Sequence, residues 1–344
     1  MIKQNIVEFG NASDKGKVRE INEDYFAFYP LSEDSILAIV CDGMGGHNAG
    51  EIASHVAVET IYNHFKTSSN KNSTFEDLKS AFLEANEKIF QLSTLNPEQS
   101  GMGTTAVVLF IKGDIAYLAH VGDSRIYRVR GSKIKQLTKD NSYVQQLIDN
   151  GLIHSDEAKK HPKRNIILKA IGIEKQIKPE LSEPISILKD DIFILCTDGL
   201  TEYLQEKEIK NFVLNYNPHK AAQMMVDLAN KKGGKDNITV QIIKVLKGNN
   251  YPKSTSEKLQ SVFFSYWIPI PILFASIVLF YLLFFNSNNT ENDNIDVING
   301  DSTEVLKHDK ISSTNDSSKI NFNDSIKKGP TNTVQDTNKD VKLK

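Results

Sequence analysis

The stretch ILAIVCDGMGG, residues 36–46, joins an uninterrupted apolar run to an acidic, glycine-rich turn. Its counterpart is IFILCTDGL, residues 192–200, in which a second apolar run is again followed by Asp-Gly. A short apolar run bounded by turn residues is typical of a buried strand. We therefore predict two strands that each end beside a carboxylate.

Two further acidic motifs accompany these turns, Asn22-Glu23-Asp24 and Asp236-Asn237. No His-x-His or Cys-x-x-Cys pattern lies nearby, so the carboxylates favour hard cations such as magnesium or manganese over zinc. Two such ions about 3.5 to 4 Å apart activate a water and stabilise an in-line displacement at phosphorus. The motifs predict a two-metal site held together by a bridging carboxylate.

Six motifs, taken in order, resemble those of the type 2C metal-dependent protein phosphatases. They are Gly16-x-Val18-Arg19-x-x-Asn22-Glu23-Asp24, Asp42-Gly43-Met44-Gly45-Gly46-His47, Gly101-x-Gly103-Thr104-Thr105, Gly122-Asp123-Ser124-Arg125, Thr197-Asp198-Gly199 and Gly234-x-Asp236-Asn237-Ile238-Thr239. Each motif alone is weak, but their order and spacing over residues 5–246 form a strong signal. The resemblance implies hydrolysis of phosphoserine and phosphothreonine in proteins.

The resemblance also implies the metal ligands. The carboxylate of Asp42 bridges both ions, and the backbone carbonyl of Gly43 is a further ligand. Asp198 and Asp236 bind the second ion. Asp123 binds a third, weaker ion. Asp24 belongs to the same metal site, where it and Glu23 accept hydrogen bonds from metal-bound waters. The cofactors expected from this site are two ions of Mn²⁺ or Mg²⁺, and a third at Asp123.

Arg19 matches the family residue that grips the substrate phosphate, a role that suits a guanidinium because it donates two parallel hydrogen bonds. The implied step is attack by the water that bridges the ions, without a phosphoenzyme. Eukaryotic relatives have a histidine directly after the Asp-Gly, where this chain has Met44. The general acid is therefore unassigned, and for His47 we expect a structural role at a helix start.

Residues 138–172 resemble the flap of the bacterial members. Relatives carry Asp-His-Ser where this chain has Asp-Asn-Ser, so Asn141 departs from the pattern. A proton transfer or substrate contact by that histidine cannot be carried over to this chain. His161 and Arg164 are expected to be structural parts of the flap, with substrate contact as the alternative.

Hydrophobic periodicity predicts a mixed α+β chain without the regular strand-helix rhythm of a parallel sheet. Helices are predicted over residues 49–65, 75–92, 142–150, 206–215 and 218–230, and strands over residues 104–111, 115–121, 126–129 and 238–245. The resemblance implies a four-layer α-β-β-α sandwich of two antiparallel sheets flanked by helices. The periodicity is compatible with that fold.

Composition narrows the function classes. The 344 residues are 40% hydrophobic with a formal net charge of -2, and no strongly basic block occurs before residue 247, so nucleic acid is not an expected partner. The two cysteines, Cys41 and Cys196, each end an apolar run. We expect buried thiols in a reducing compartment, and a redox-sensitive pair on neighbouring strands is the alternative.

Residues 262–285 carry no charge and are long enough for a membrane span, which takes roughly 20 apolar residues. Lysines precede this segment and acidic residues follow it, which by the positive-inside rule places the N-terminal region in the cytoplasm. The predicted organisation is a phosphatase domain at 1–246, a juxtamembrane linker at 247–261, a transmembrane helix at 262–285 and a disordered extracytoplasmic tail at 286–344.

The resulting interpretation is a bacterial, membrane-anchored protein serine/threonine phosphatase. Its expected partners are phosphorylated proteins, including a Ser/Thr kinase, and the membrane through one helix. The alternative is a pseudophosphatase that binds phosphoproteins or acts as a scaffold at the membrane. A phosphatase that regulates an anti-sigma-type switch is a second competitor, although the flap pattern fits the kinase-partner class better.

Overall fold

A computed structural model of the chain describes residues 6–46, 48–67, 74–249 and 279–280. The strands are β1 Val7–Asp14, β2 Asp24–Pro30, β3 Ser35–Met44, β4 Gly103–Thr104, β5 Ala106–Lys112, β6 Ile115–Val121, β7 Arg125–Arg130, β8 Lys133–Gln136, β9 Glu180–Leu181, β10 Ile185–Ser186, β11 Ile192–Cys196 and β12 Ile238–Val245. The helices are α1 Ala49–Thr67, α2 Thr74–Leu95, α3 Tyr143–Asp149, α4 Ser155–Ala158, α5 Asp198–Thr201, α6 Glu206–Asn215 and α7 Pro218–Lys232, and a 3-10 turn covers Pro97–Gln99.

The strands form two antiparallel sheets. One has the order β1-β12-β11-β7-β8, and the other has the order β10-β6-β5-β3-β2, with β4 paired to β3 and β9 paired to β6. The two predicted acid-bearing strands, β3 and β11, therefore lie in different sheets. Their ends meet only because the sheets pack face to face.

Alternation along β3 and β11 explains the layers. Val40 and Leu195 point into the apolar core between the sheets, whereas Cys41 packs under α1 and α2 and Cys196 packs under α6 and α7. Successive side chains of a strand face opposite sides, so each strand contributes to two apolar layers. The predicted α-β-β-α sandwich is confirmed for the described residues.

Helix boundaries follow from local sequence signals. The Asn217 side chain accepts a hydrogen bond from Lys220 N at 2.9 Å, Pro218 occupies the first turn of α7, and Gly233 follows its last residue. Asn at the N-cap, Pro in the first turn and Gly after the end are the favoured residues at these positions. The predicted helices agree with α1, α2, α3, α6 and α7 within a few residues.

The same alternation decides the cysteine question. Cys41 and Cys196 are both buried and free, and they face opposite outer layers of the sandwich. The expected burial of both thiols is confirmed, and the alternative of a pair on neighbouring strands is wrong, because β3 and β11 belong to different sheets. A disulfide requires Cα atoms within about 7 Å, which side chains pointing to opposite sides of a double sheet do not offer.

The chain divides into two units, Met1–Phe263 and Phe264–Lys344. The sandwich belongs to the first. Within the described ranges no helix is long and apolar enough to cross a bilayer. The predicted span at 262–285 lies outside the described residues except for Leu279 and Phe280, so that span and the predicted domain boundaries stay predictions.

Candidate metal centre

Asp42 lies near the end of β3, on the side that faces the other sheet, because Val40 faces the inter-sheet core. Its main chain is held from both sides: Asp42 N donates to Thr105 Oγ1 at 3.0 Å, and Asp42 O accepts from Thr105 N at 2.8 Å. Thr104 Oγ1 also donates to Asp42 O at 2.9 Å. The Gly-x-Gly-Thr-Thr motif thus fixes the backbone of the expected bridging carboxylate.

Asp24 is the direct partner of Asp42 in the β2–β3 register. Directly opposite residues present their side chains on the same face of a sheet, so both carboxylates face the space between the sheets. Asp24 Oδ2 accepts from Thr197 Oγ1 at 3.0 Å. Since Thr197 directly follows β11, this hydrogen bond connects the two sheets at the site.

Asp198 opens α5 immediately after Thr197. Its carboxyl group lies close to those of Asp42, Asp236 and Glu202. Asp198 and Asp42 are both partly exposed, whereas Asp24 is buried. The two expected ligands therefore lie at the mouth of the site and Asp24 lies behind them.

The loop before β12 connects Asp236 to the Asn-Glu-Asp motif. Asn237 Oδ1 accepts from Glu23 N at 2.9 Å, while its Nδ2 donates to Lys15 O at 3.0 Å and Ile21 O at 2.9 Å. These three bonds hold the loop between β1 and β2 against the start of β12. Asn237 thus positions Arg19 and Glu23, a role that the sequence motif alone did not reveal.

Arg19 reaches the carboxylates from that loop. Its Nη2 lies 2.9 Å from Asp236 Oδ1 and its Nη1 lies 3.4 Å from Glu23 Oε2. Gly16 makes the approach possible: its φ is +80°, and a Cβ at this position would come within 2.3 Å of Asp236 O. Arg19 is 46% exposed, so the guanidinium remains accessible from solvent.

Gly43 supplies the close approach expected of a backbone ligand. A Cβ on Gly43 would come within 2.1 Å of Gly50 O and 2.6 Å of Glu23 O, and Gly43 N donates to Glu23 O at 3.2 Å. No side chain fits there without displacing main-chain atoms. Glycine is therefore required by the packing of α1 on the end of β3.

Burial and mutual repulsion shift the acidity of these carboxyl groups. The pKa of Asp24 rises to about 7 through burial and the nearby Asp198 and Asp236. Burial and Asp198 raise the pKa of Asp123 to about 8. Burial and Asp236 raise the pKa of Asp198 to about 6, and burial with Asp24 raises the pKa of Asp42 well above its usual value. Because the groups interact, these values belong to the cluster as a whole.

The donor set fits divalent cations in two respects. Three buried oxygens, Glu23 Oε1, Asp24 Oδ1 and Asp123 Oδ1, have no hydrogen-bond partner, and an unpaired buried polar atom is costly. The set consists of oxygens, which hard cations prefer. Within the described residues, however, no three Asp, Glu, His or Cys side chains are already arranged to coordinate one ion, and Asp236 is engaged by Arg19.

The flap residues have structural contacts. Arg164 Nη2 donates to Glu202 Oε1 at 2.8 Å, which ties the flap to the residue after α5. His161 Nδ1 accepts from Lys163 N at 3.1 Å, and its ring lies 5.8 Å from that of Tyr143. The described contacts agree with the expected structural roles. His47, expected at a helix start, lies outside the described residues.

Comparisons with known proteins agree with this geometry. The Protein phosphatase 2C sequence family matches residues 16–237. Protein phosphatase PhpP of Streptococcus pneumoniae is 37% identical over 240 residues, which cover 69% of this chain and 97% of PhpP. Serine/threonine phosphatase stp of Listeria monocytogenes is 33% identical over 235 residues, covering 67% and 93%.

Solved structures show the same likeness. The Mycobacterium tuberculosis serine/threonine phosphatase PstP/Ppp aligns with a TM-score of 0.65 and 30% identity over 70% of this chain and all of that one. The catalytic domain of PstP in complex with two manganese ions aligns with a TM-score of 0.63 and 30% identity over 70% and 99%. The chain belongs to the protein phosphatase 2C family and is a metal-dependent protein serine/threonine phosphatase.

Proposed function

We propose that Asp42, Asp198 and Asp236, with the carbonyl of Gly43, hold two divalent cations, and that Asp123 holds a third. Asp24 and Glu23 accept hydrogen bonds from waters of the same site. The observation that carries this proposal is the convergence of partly exposed carboxylates on buried ones that each keep one oxygen without a hydrogen-bond partner. Burial and mutual repulsion raise the pKa values of the group. Bound cations would neutralise that repulsion.

When bound, such a pair of cations supplies an activated water and stabilises negative charge at phosphorus. Manganese is supported by the PstP structure with two manganese ions, and magnesium prefers the same oxygen donors. In this chain, Thr104 and Thr105 hold the Asp42 backbone in place, and Asn237 holds the loop that carries Arg19. The protein's own contribution is therefore to orient groups before substrate arrives.

Arg19 is proposed to bind the phosphate of the substrate. Its guanidinium is accessible at the mouth of the site, and its Nη2 already contacts both carboxylate oxygens of Asp236. Met44 follows the Asp42–Gly43 pair and has no ionisable proton. The leaving oxygen must therefore take its proton from solvent or from another group.

The test compares the full-length chain with Asp42→Ala. Manganese-dependent release of phosphate from a phosphothreonine peptide is expected of the former and not of the latter. A pseudophosphatase would bind the phosphopeptide without releasing phosphate in either protein. Equal rates of phosphate release above background in both proteins would remove Asp42 from the metal site.

We further propose that residues 262–285 anchor the protein in the cell membrane as a single pass, with the phosphatase region cytoplasmic and residues 286–344 outside. The support is the uncharged segment and the lysines that precede it, because positive residues stay on the cytoplasmic side. Phosphorylated proteins, including a Ser/Thr kinase, would then be the substrates. Protease added to intact spheroplasts should remove an epitope at the C-terminus and leave one at the N-terminus; the reverse pattern would contradict the orientation.

A further inference from the structure

The base of the flap runs alongside the turn that carries Asp123. Leu137 N donates to Ile126 O at 2.7 Å, and Ile126 N donates to Thr138 Oγ1 at 3.1 Å. Nearer the turn, His120 Nε2 bonds Lys139 O at 2.8 Å; because a carbonyl only accepts, Nε2 is the protonated nitrogen of the ring. The flap base is thus joined to the Asp123 turn on both sides of it.

Asn141 makes the contact closest to Asp123. Gly122 N donates to Asn141 Oδ1 at 3.1 Å, and Asn141 N donates to Gly122 O at 2.8 Å. The two bonds act on the two peptide planes that flank Gly122, and the second of these planes contains Asp123 N. They therefore restrain both rotations of the glycine that precedes the carboxylate.

Gly122 needs such a restraint. Its φ is +103°, a region that side chains rarely adopt, and a Cβ here would come within 2.5 Å of the Thr105 side chain. Glycine is required by this conformation, but glycine also costs more conformational entropy to fix than any other residue. Hydrogen bonds from Asn141, which lies outside the turn, restrict the backbone of this flexible residue.

We propose that Asn141 is a positioning residue that sets the direction of the Asp123 carboxylate. Asn141 acts through the backbone of Gly122 and need not touch the substrate or a cation. The proposal rests on the proposed function in one respect, the assignment of Asp123 to a cation. It gives this chain's departure from the Asp-His-Ser pattern a physical role, since Asn Oδ1 and a neutral His Nδ1 are both acceptors one atom beyond Cγ.

The test uses full-length protein and three variants. Asn141→Ala removes the acceptor, and Asn141→His restores it when neutral. Gln145→Ala is the matched control, because Gln145 lies in the same flap and its side-chain amide donates to Asp149 Oδ1 at 3.0 Å. Calorimetric titration with manganese chloride at pH 8 measures cation binding. Hydrogen exchange of the Gly122 amide in the metal-free protein measures the hydrogen bond between Gly122 N and Asn141 Oδ1 directly.

Asn141→Ala should bind manganese at its weakest site about tenfold less tightly, the scale of losing a group that orients a ligand. Its Gly122 amide should exchange roughly two- to tenfold faster, as expected for one lost hydrogen bond. Asn141→His should restore the manganese affinity and the slow Gly122 exchange at pH 8. Both effects should be lost below about pH 6.5, where the imidazole takes up a proton. Gln145→Ala should match the wild type.

Unchanged manganese binding and unchanged Gly122 exchange in Asn141→Ala would overturn the proposal. So would a loss that Asn141→His fails to restore at pH 8, because the defect would then reflect general damage to the flap. If the wild-type protein bound no manganese, the proposed function would fail instead. The Gly122 exchange rates would still show whether Asn141 restrains Gly122, since that measurement requires no cation.

Discussion

Arg19 and Asp236 bind each other: Nη2 of the arginine lies 2.9 Å from Oδ1 of the aspartate. One residue is assigned to the substrate phosphate and the other to a cation, so neither is free for its role while the pair lasts. A cation that recruits Asp236 would release the guanidinium. With the roles proposed for these two residues, cation binding would precede phosphate binding.

Substitution of Arg19 by alanine should separate the two roles. We expect KM for a phosphothreonine peptide to rise roughly 10- to 100-fold, because hydrogen bonds to charged groups contribute about 1.5 to 3 kcal/mol. Manganese affinity should stay equal or increase, since Asp236 loses its competing partner. Steady-state kinetics and calorimetry measure the two quantities independently.

Arg19→Lys is the matched control for charge. Lysine keeps the positive charge but cannot donate the two parallel bonds of a guanidinium, so an intermediate KM is expected. A KM equal to that of the wild type in Arg19→Ala would show that the phosphate is held elsewhere.

The thiols should be inert. Burial raises the pKa of Cys196 to about 12 and raises that of Cys41 further, and thiolates are the reactive form. Neither thiol should react with a disulfide reagent such as DTNB in the native protein, although both should react in denaturant. Peroxide inhibition, if any occurs, should be the same in the Cys41→Ala/Cys196→Ala double variant.

Sequence patterns predicted the parts of this site that lie at the ends of strands. The apolar runs before Asp42 and Asp198 fall on β3 and β11, because a short apolar run followed by turn residues favours a buried strand. The run that became β12 was predicted with its observed bounds, Ile238–Val245. Those are local properties, which one segment of chain determines by itself.

Properties that depend on two distant segments escaped the sequence. That β3 and β11 belong to different sheets, and hence that their cysteines face opposite layers, follows from pairing over the whole chain. The threonines at positions 105 and 197 bond Asp42 N and Asp24 Oδ2 across long separations. Nothing in their own neighbourhood distinguishes them from ordinary strand residues, although both lie inside the motifs that carried the resemblance.

The Arg164–Glu202 pair should matter for the flap and little for the fold. An exposed ion pair contributes about 0 to 1 kcal/mol, so Arg164→Ala should leave the melting temperature within a few degrees of the wild type. Loss of the tether should instead make the flap more susceptible to limited proteolysis and raise KM. Lys159→Ala removes a more exposed ion pair of the flap, with Asp156, and should change neither the rate of limited proteolysis nor KM. Identical cleavage rates in both variants would argue against the tether.

Asp42→Asn should stabilise the metal-free protein at neutral pH. Asp42 has a raised pKa in the folded state. At neutral pH, ionisation of this carboxyl group therefore stabilises the unfolded chain more than the folded protein, and an amide at this position cannot ionise in either state. Each kcal/mol gained should raise the melting temperature by roughly 2 to 4 °C. The gain should shrink as the pH falls through 3.8, the usual pKa of an aspartate, and should vanish only at lower pH, where the carboxyl is protonated in both states. Asp156→Asn, at a 94% exposed side chain, is the control and should have little effect at either pH.

The same variant should lose its response to manganese. Wild-type protein should melt at a higher temperature when manganese is added, because a ligand that binds only the folded state stabilises it. Asp42→Asn should bind the cation at least about tenfold more weakly and show a much smaller shift. A full manganese shift in Asp42→Asn would exclude Asp42 as a shared ligand.

The metal-free protein should become less stable as the pH rises from about 4 to about 8. Asp24, Asp123 and Asp198 have pKa values of about 7, 8 and 6 in the folded state against a usual value of 3.8. The folded state therefore binds more protons than the unfolded state in this range, and the free energy of unfolding falls with pH. Scanning calorimetry in EDTA should record a melting temperature that decreases through this window.

Manganese should reverse that trend, because a cation binds the deprotonated carboxylates and its affinity increases as protons leave. The difference between the manganese and EDTA melting temperatures should therefore widen from pH 6 to pH 8. An exposed carboxylate in an ion pair has the opposite effect on stability as the pH changes. The hydrogen bond from Lys232 lowers the pKa of Glu208, so the stability that this pair contributes is lost only as the pH falls below the usual pKa range of a glutamate. A melting temperature in EDTA that stays constant from pH 4 to 8 would mean that neither burial nor mutual repulsion raises the pKa values of these carboxyl groups in the folded protein, and the electrostatic argument for a cation site would fail with it.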